Sequence, residues 1–206
     1  VDILAAEQTL GSTDWFQGTA DAVRQSIHHL ENHEYEQVLI LSGDQLYQMD
    51  FRHMLSQHKD SGADITIATI PVKAEDATGF GIMKKDDKNR IDSFVEKPSL
   101  EELSSWKSPV DDHLKGEGKE YLASMGIYIF NRDRLMDLMD THADATDFGK
   151  EIIPKALHGE TKVFSYEFTG YWTDIGTIRS FYEANLELSD AVPQFNLYDN
   201  GNPIYT

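Results

Sequence analysis

The chain has 206 residues, no cysteine, and 36 acidic against 18 basic residues, a formal net charge of −18. That length supports one sizeable core. The charge repels nucleic-acid backbones and anionic membrane surfaces, and the lack of cysteine excludes disulfides and thiolate metal sites, which fits a reducing, cytoplasmic setting. No apolar run approaches the roughly 20 residues of a membrane span, so neither a nucleic-acid nor a membrane partner is expected. Phosphorylated metabolites are repelled too, so a phosphate site here must overcome the global field locally, with lysines, backbone N–H groups or a divalent cation.

Apolar runs alternate with amphipathic stretches, which predicts an α/β fold with a partly parallel sheet. A short strand is expected over 1–6. Ala20, Val23, Ile27 and Leu30 recur at helical spacing, giving a helix over 20–32 with Thr19 as N-cap. The continuous run Val38-Leu39-Ile40-Leu41 reads as a strand buried on both faces that ends in the turn Ser42-Gly43-Asp44. A helix over 51–61, capped by Asp50 and closed at Gly62, precedes a β-branched strand over 65–70. Two short strands within 81–97 flank a hairpin tip at 85–89. Ser99 caps a short helix through about 106, and the polar stretch 107–120 reads as a mobile loop or lid.

Residues 121–130 form the next strong strand, and 133–139 are helical. The amphipathic stretch 148–157 contains Pro154, which either kinks a helix or marks a turn. A strand over 162–168 and a helix over 178–188, capped by Thr177, complete the elements. The tail from 192 reads as an exit linker, so 1–191 is the domain and 192–206 its linker. With no Met at the start and an apolar phrase at the end, the sequence reads as a piece of something longer.

Several phrases carry chemistry. Asp44 is either a turn former or a ligand at the carboxyl end of a strand, where open α/β sheets bind their ligands. Glu96-Lys97-Pro98, after Phe94-Val95, is either a solvated hairpin exit or a carboxylate and ammonium set by the backbone, with Pro98 holding Lys97 extended. Asp174 and Thr177 can cap the next helix, or Asp174 can be a second carboxylate for Mg²⁺. Trp15 and Thr19 suit an aromatic staple and cap, or Gly18 lets a nucleotide approach the backbone beside a helix start. Ser124 is a packing residue or a hydroxyl turned to a sugar. The eight histidines form no HxH pair, and His28, His29, His53 and His58 fall on expected helix surfaces, so zinc is not expected. No nucleophile elbow or Walker lysine loop occurs.

Taken in order, the phrases at 15–25, 42–50, 79–83, 94–98, 122–130, 147–154 and 170–177 resemble the bacterial ADP-glucose pyrophosphorylases, within the sugar-1-phosphate nucleotidylyltransferases. The resemblance implies a Rossmann-like α/β domain with a mixed, mostly parallel sheet, followed in full-length members by a left-handed β-helix and assembled as homotetramers. It implies the reaction of ATP with glucose 1-phosphate to give ADP-glucose and pyrophosphate. Carried over residue by residue, Asp44 and Asp174 hold the catalytic Mg²⁺ and Lys97 contacts the sugar phosphate. Glu96 binds sugar hydroxyls, Gly81 and Ser124 complete the glucose pocket, and Gly18 and Thr19 lie near the nucleotide. The family's N-terminal glycine-rich loop and the β-helix do not occur in these 206 residues, so the piece alone is expected to be inactive. A non-catalytic regulatory subunit of the family and a metal-dependent glycosyltransferase are the competing readings. The acid-x-acid motif that the second requires is missing at Ser42-Gly43-Asp44.

Overall fold

A computed structural model of the chain describes residues 3–4, 15–31, 33–198 and 201. The strand expected over 1–6 lies almost wholly outside them. In order, the elements are α1 (Thr19–Glu31), β1 (Gln37–Ile40), β2 (Gln45–Tyr47), α2 (Phe51–Ser61), β3 (Ile65–Val72), α3 (Ala74–Ala77), β4 (Gly81–Lys85), β5 (Ile91–Glu96), α4 (Leu100–Leu103), α5 (Asp112–Gly116), β6 (Tyr121–Asn131), α6 (Arg132–Thr141), a π-helical turn (Phe148–Ile152), α7 (Ile153–Leu157), β7 (Val163–Glu167), β8 (Trp172–Asp174) and α8 (Ile178–Glu187).

Five strands run in the order β5-β4-β6-β3-β7, β1 pairs with β6, and β2 and β8 form a separate ribbon. The sheet is mixed, but the expectation of a mostly parallel one is corrected. Among the described residues only β3 and β7 pair in parallel, while β1–β6, β3–β6, β4–β5 and β4–β6 are antiparallel. The reason is local at β4–β5, where Asp86 Oδ1 accepts the N–H groups of Lys88 and Arg90 and closes a hairpin, which only antiparallel strands can use.

The described core is organised on β3 and β6. β3 and β6 are buried on both faces by alternation. Ile65, Ile67, Tyr128 and Phe130 face one core with Ala20, Leu135, Phe148 and Ile152, while Ala68, Ile127 and Ile129 face another with Met54 and Phe168. β1 pairs with β6 along one edge, and Leu39 and Leu41 are exposed, so the run 38–41 is not buried on both faces.

β6 does the organising. Its register with β3 shifts between Ile67 and Thr69, opposite a bulge that contains Gly126 at φ +66°. On its other edge β6 takes β1 at 128–131 and β4 at 122–123, so the two neighbours part on either side of the bulge. A residue with a Cβ at 126 would come within 3.2 Å of Ser42 Oγ and 3.3 Å of Gln45 Nε2. Glycine is what brings the Ser42–Asp44 loop down onto the sheet.

Two further expectations change. The stretch 107–120 holds the short helix α5 and is anchored by Ser108, whose buried hydroxyl donates to Met83 O. His58 is not on a helix surface but buried, with Nδ1 2.7 Å from Thr66 Oγ1 and Nε2 3.1 Å from Asn131 Oδ1. A polar ring satisfied at both nitrogens can be buried, and the apolar-stripe pattern gives no sign of it.

Candidate functional site

The ribbon brings the first pair together. β2 and β8 pair with Gln45 opposite Asp174, and Ile175 N donates to Asp44 O at 3.1 Å. From one point, the Cβ position of Gly176, Asp174 Oδ1 is 2.9 Å away and Asp44 Oδ2 3.5 Å. Residues 130 apart in sequence thus aim two carboxylates into one space. Thr177 is the cap of α8, its Oγ1 accepting Ser180 N at 3.0 Å, while Asp174 Oδ1 accepts Gly176 N at 2.7 Å in the turn before it and keeps Oδ2 outside that bond. Asp50 caps α2 and is likewise accounted for.

The second group sits on the sheet. Glu96 pairs with Gly81 across the β4–β5 hairpin, and its Oε2 lies 2.8 Å from where a Cβ on Gly81 would be. The same oxygen lies 3.1 Å from the Cβ position of Gly149, and Asp147 Oδ1 is 3.5 Å from that position. Burial raises the Glu96 carboxyl above the ordinary range, Lys97 opposes this, Asp147 adds to it, and Lys150 opposes it. Tyr128 is pushed up to about 12, chiefly by burial, against a hydrogen bond from Ser124, and with Asp147 and Glu96 adding to the rise. Ser124 Oγ also accepts Gly126 N at 3.3 Å, so its hydroxyl belongs to the bulge.

Lys97 departs from the expected geometry. It has φ +49°, in the left-handed region rather than extended, and its N–H donates to Phe80 O at 3.0 Å. A non-glycine residue there is uncommon, and before proline doubly so. Such strain is held only where the surroundings enforce it and collects at functional sites. Its position turns the exposed Lys97 away from the strand direction of β5.

Gly18 and Thr19 open α1, and Thr19 is the first helical residue rather than its cap. Its Oγ1 accepts Phe148 N at 3.1 Å and donates to Asp147 Oδ2 at 3.4 Å. A Cβ on Gly18 would collide with Thr146 O, so the glycine is required by the chain's own backbone. Trp15 is exposed and forms no staple.

The structure therefore joins Asp44 with Asp174, Gly81 with Glu96, and Thr19 with Asp147. The bulge at 124–126 lies between the ribbon and Tyr128. Sequence reasoning assigned no role to Tyr128, Asp147, Gly149 or Lys150. The signal available was the acid, glycine and lysine of 147–150 at the start of a helix-like phrase. What spacing could not show is that these residues form a π-helical turn, a rarity that concentrates at functional sites.

No group of three or more His, Asp or Glu side chains poised to hold a metal occurs among the described residues. Two converging carboxylates suit Mg²⁺, which takes one or two protein carboxylates and fills its octahedron with water and phosphate oxygens. Like charges this close also repel, which a divalent cation relieves. A polar concavity of about 730 Å³, lined by Tyr35, Asp64, Asn131, Arg132 and Arg134 among others, contains none of these residues.

The sequence model of a family described as nucleotidyl transferase matches residues 1–191. The chain belongs to the nucleotidyl transferase family. Membership implies a transferase, with the nucleotide and sugar-phosphate substrates of sugar-1-phosphate nucleotidyl transfer. No described helix of this nucleotidyl transferase chain is long and apolar enough to cross a membrane.

Proposed function

We propose that the chain carries the metal and sugar-phosphate sites of a glucose-1-phosphate adenylyltransferase, which joins ATP and glucose 1-phosphate to give ADP-glucose and pyrophosphate. The observation that carries this reading is the convergence of Asp44 and Asp174 on one point, with the sheet-borne Glu96 and the strained Lys97 as the separate second group. In this reading an oxygen of the sugar phosphate attacks the α-phosphorus in line, the bond to the β-phosphate oxygen breaks, and pyrophosphate leaves with that electron pair. The attacking oxygen is already anionic, so no general base is needed.

Lys97 grips the sugar phosphate as a point charge and offsets the global repulsion of a −18 chain. Glu96, ionised, accepts from sugar hydroxyls, beside Gly81 and Ser124. Gly18 and Thr19 face the nucleotide. Asp44 and Asp174 hold Mg²⁺, which when bound supplies neutralisation of triphosphate charge. Catalysis is then positioning plus charge compensation.

The test is pyrophosphate release from ATP by the full-length protein, dependent on glucose 1-phosphate and Mg²⁺. Equal rates with other sugar 1-phosphates or other nucleoside triphosphates would move the reading to another member of the same reaction class. No release with any pair would sink it.

A further inference from the structure

We propose that Glu151 is a positioning residue for this transfer, locking the turn that carries Asp147 and coupling the sugar side of the site to the start of α1. The inference rests on the transferase reading above for its functional meaning, and on hydrogen bonds for its mechanics. Glu151 Oε2 accepts three donors: Thr146 N at 2.7 Å, Thr146 Oγ1 at 3.1 Å and Asp147 N at 3.2 Å. These bonds hold its carboxyl below the ordinary range, led by the one from Thr146 N, so it is ionised at neutral pH.

The residue it holds is bound on the far side as well. Thr146 O accepts Ala20 N at 2.8 Å and Asp21 N at 3.1 Å, filling two of the N–H groups that the first turn of a helix leaves unpaired. Thr19 Oγ1 reaches Asp147 and Phe148 in return. Arg24 Nη2 adds bonds to His142 O at 3.0 Å and Ala145 O at 2.7 Å. One carboxylate oxygen therefore fixes the peptide between 146 and 147, whose two sides face different substrates. Toward the sugar lie Asp147 and, 3.1 Å from the Gly149 Cβ position, Glu96. Toward the nucleotide lie Gly18 and Thr19.

A residue that served only one substrate would leave the other's binding untouched, whereas this linkage requires both to suffer. A slack of about 1 Å at a positioned group costs up to roughly 10²-fold in rate. Gln at 151 keeps an acceptor oxygen of the same reach, while Ala removes it.

The experiment has two arms. In the first, amide hydrogen exchange is followed in the 206-residue chain and its Glu151→Ala and Glu151→Gln variants. Exchange at Ala20 and Asp21 is expected to quicken about tenfold in Glu151→Ala, on the order of one lost hydrogen bond, and to recover in Glu151→Gln. Unchanged exchange there overturns the linkage, and if Glu151→Ala unfolds outright it is replaced by Thr146→Val, which removes only the Thr146 hydroxyl bond and should quicken exchange to a smaller degree. In the second arm, steady-state kinetics of the full-length protein are expected to show KM for glucose 1-phosphate and for ATP raised together in Glu151→Ala, with kcat/KM down on the order of 10²-fold and Glu151→Gln close to the parent. A rise for one substrate alone overturns the coupling. Failure of the unsubstituted protein to turn over defeats the proposed function, and with it any role of Glu151 in the reaction, while the exchange arm still reports the linkage separately.

Discussion

The ribbon that bears Asp44 and Asp174 and the sheet that bears Glu96 are built on opposite principles. The ribbon is two strands of three residues, with Asp44 exposed and its carboxylate bonded only locally by Ser42 Oγ at 3.2 Å. A two-stranded unit is marginal by itself. Tyr47 and Trp172 tie it to the second core, and Trp172 packs edge-on to Phe80 at 5.3 Å. Glu96, by contrast, is half-buried on a six-stranded sheet and hemmed by the π-helical turn, whose Phe148 ring lies 5.6 Å from both Tyr128 and Phe130. The ribbon holds charge that a cation must complete, and the sheet holds shape that exists beforehand. Substitutions on the ribbon should therefore cost function without stability, and those near the sheet should cost both.

The sharpest way to break that contrast is Asp44→Asn. Turnover of the full-length protein is expected to fall on the order of 10³-fold, the scale of losing charge compensation at the reacting phosphate. In EDTA the variant should be at least as stable as the parent, because one of two repelling carboxylates is gone. Mg²⁺ should raise the melting temperature of the parent and not of Asp44→Asn. A large loss of stability without metal would show that the ribbon's acids hold the fold.

Lys97 separates function from strain at one residue. Lys97→Ala and Lys97→Gly both remove the ammonium, and KM for glucose 1-phosphate should rise by roughly 10- to 100-fold, with kcat less affected, the range of a hydrogen bond to a charged group. The two differ in backbone: at φ +49° glycine is relieved of a cost that alanine keeps. Urea titration should find Lys97→Gly about 1 kcal/mol more stable than Lys97→Ala. Equal stabilities would mean the left-handed geometry is not retained.

Glu96 tests the buried side through pH. Its folded carboxyl is raised by burial, so protonation sets in at higher pH than for a free Glu. Affinity for glucose 1-phosphate should fall with decreasing pH by up to roughly tenfold per unit below that raised value. Glu96→Gln should lose this limb, which separates it from titration of the sugar phosphate itself. An acid limb at the ordinary glutamate position would refute burial as the dominant influence.

Much of this was legible in the chain because periodicity and caps are local. The helix over 51–61 with Asp50 and Gly62 at its ends, the 85–89 hairpin and the Thr177 cap follow from nearest neighbours alone. Strand direction and burial are long-range properties, which is why 38–41 reads as buried on both faces and the sheet as mostly parallel when neither holds among the described residues. At the site, the converging acids at 44 and 174 could be inferred only through resemblance, since three-residue strands such as β2 leave no pattern. The left-handed Lys97 was misread because the proline rule describes an average preference, and Phe80 O overrides it here. Asp147 and Glu151 sit in a phrase whose acid, glycine and lysine are visible, but its π-helical form and the reach of Asp147 to Thr19 at the start of α1 are not.

His58 supplies the smallest effect and the cleanest check that sheet-side residues pay in stability. Its ring is buried between Thr66 and Asn131, and desolvation lowers its pKa, with the Asn131 bond and Asp64 opposing and Lys59 adding to the fall. The unfolded chain takes a proton near pH 6.5 and the folded chain does so only at lower pH. Between those values the unfolded state binds more protons, so stability must fall as pH drops through the window, by at most about 1.4 kcal/mol per unit from this group. His58→Gln keeps a polar partner for Thr66 or Asn131 and should lose this part of the slope while starting from a lower plateau. Because Asp44 and Asp174 lie on the ribbon, Asp44→Asn should leave the same slope intact, and a change there would show that the two regions unfold as one electrostatic unit.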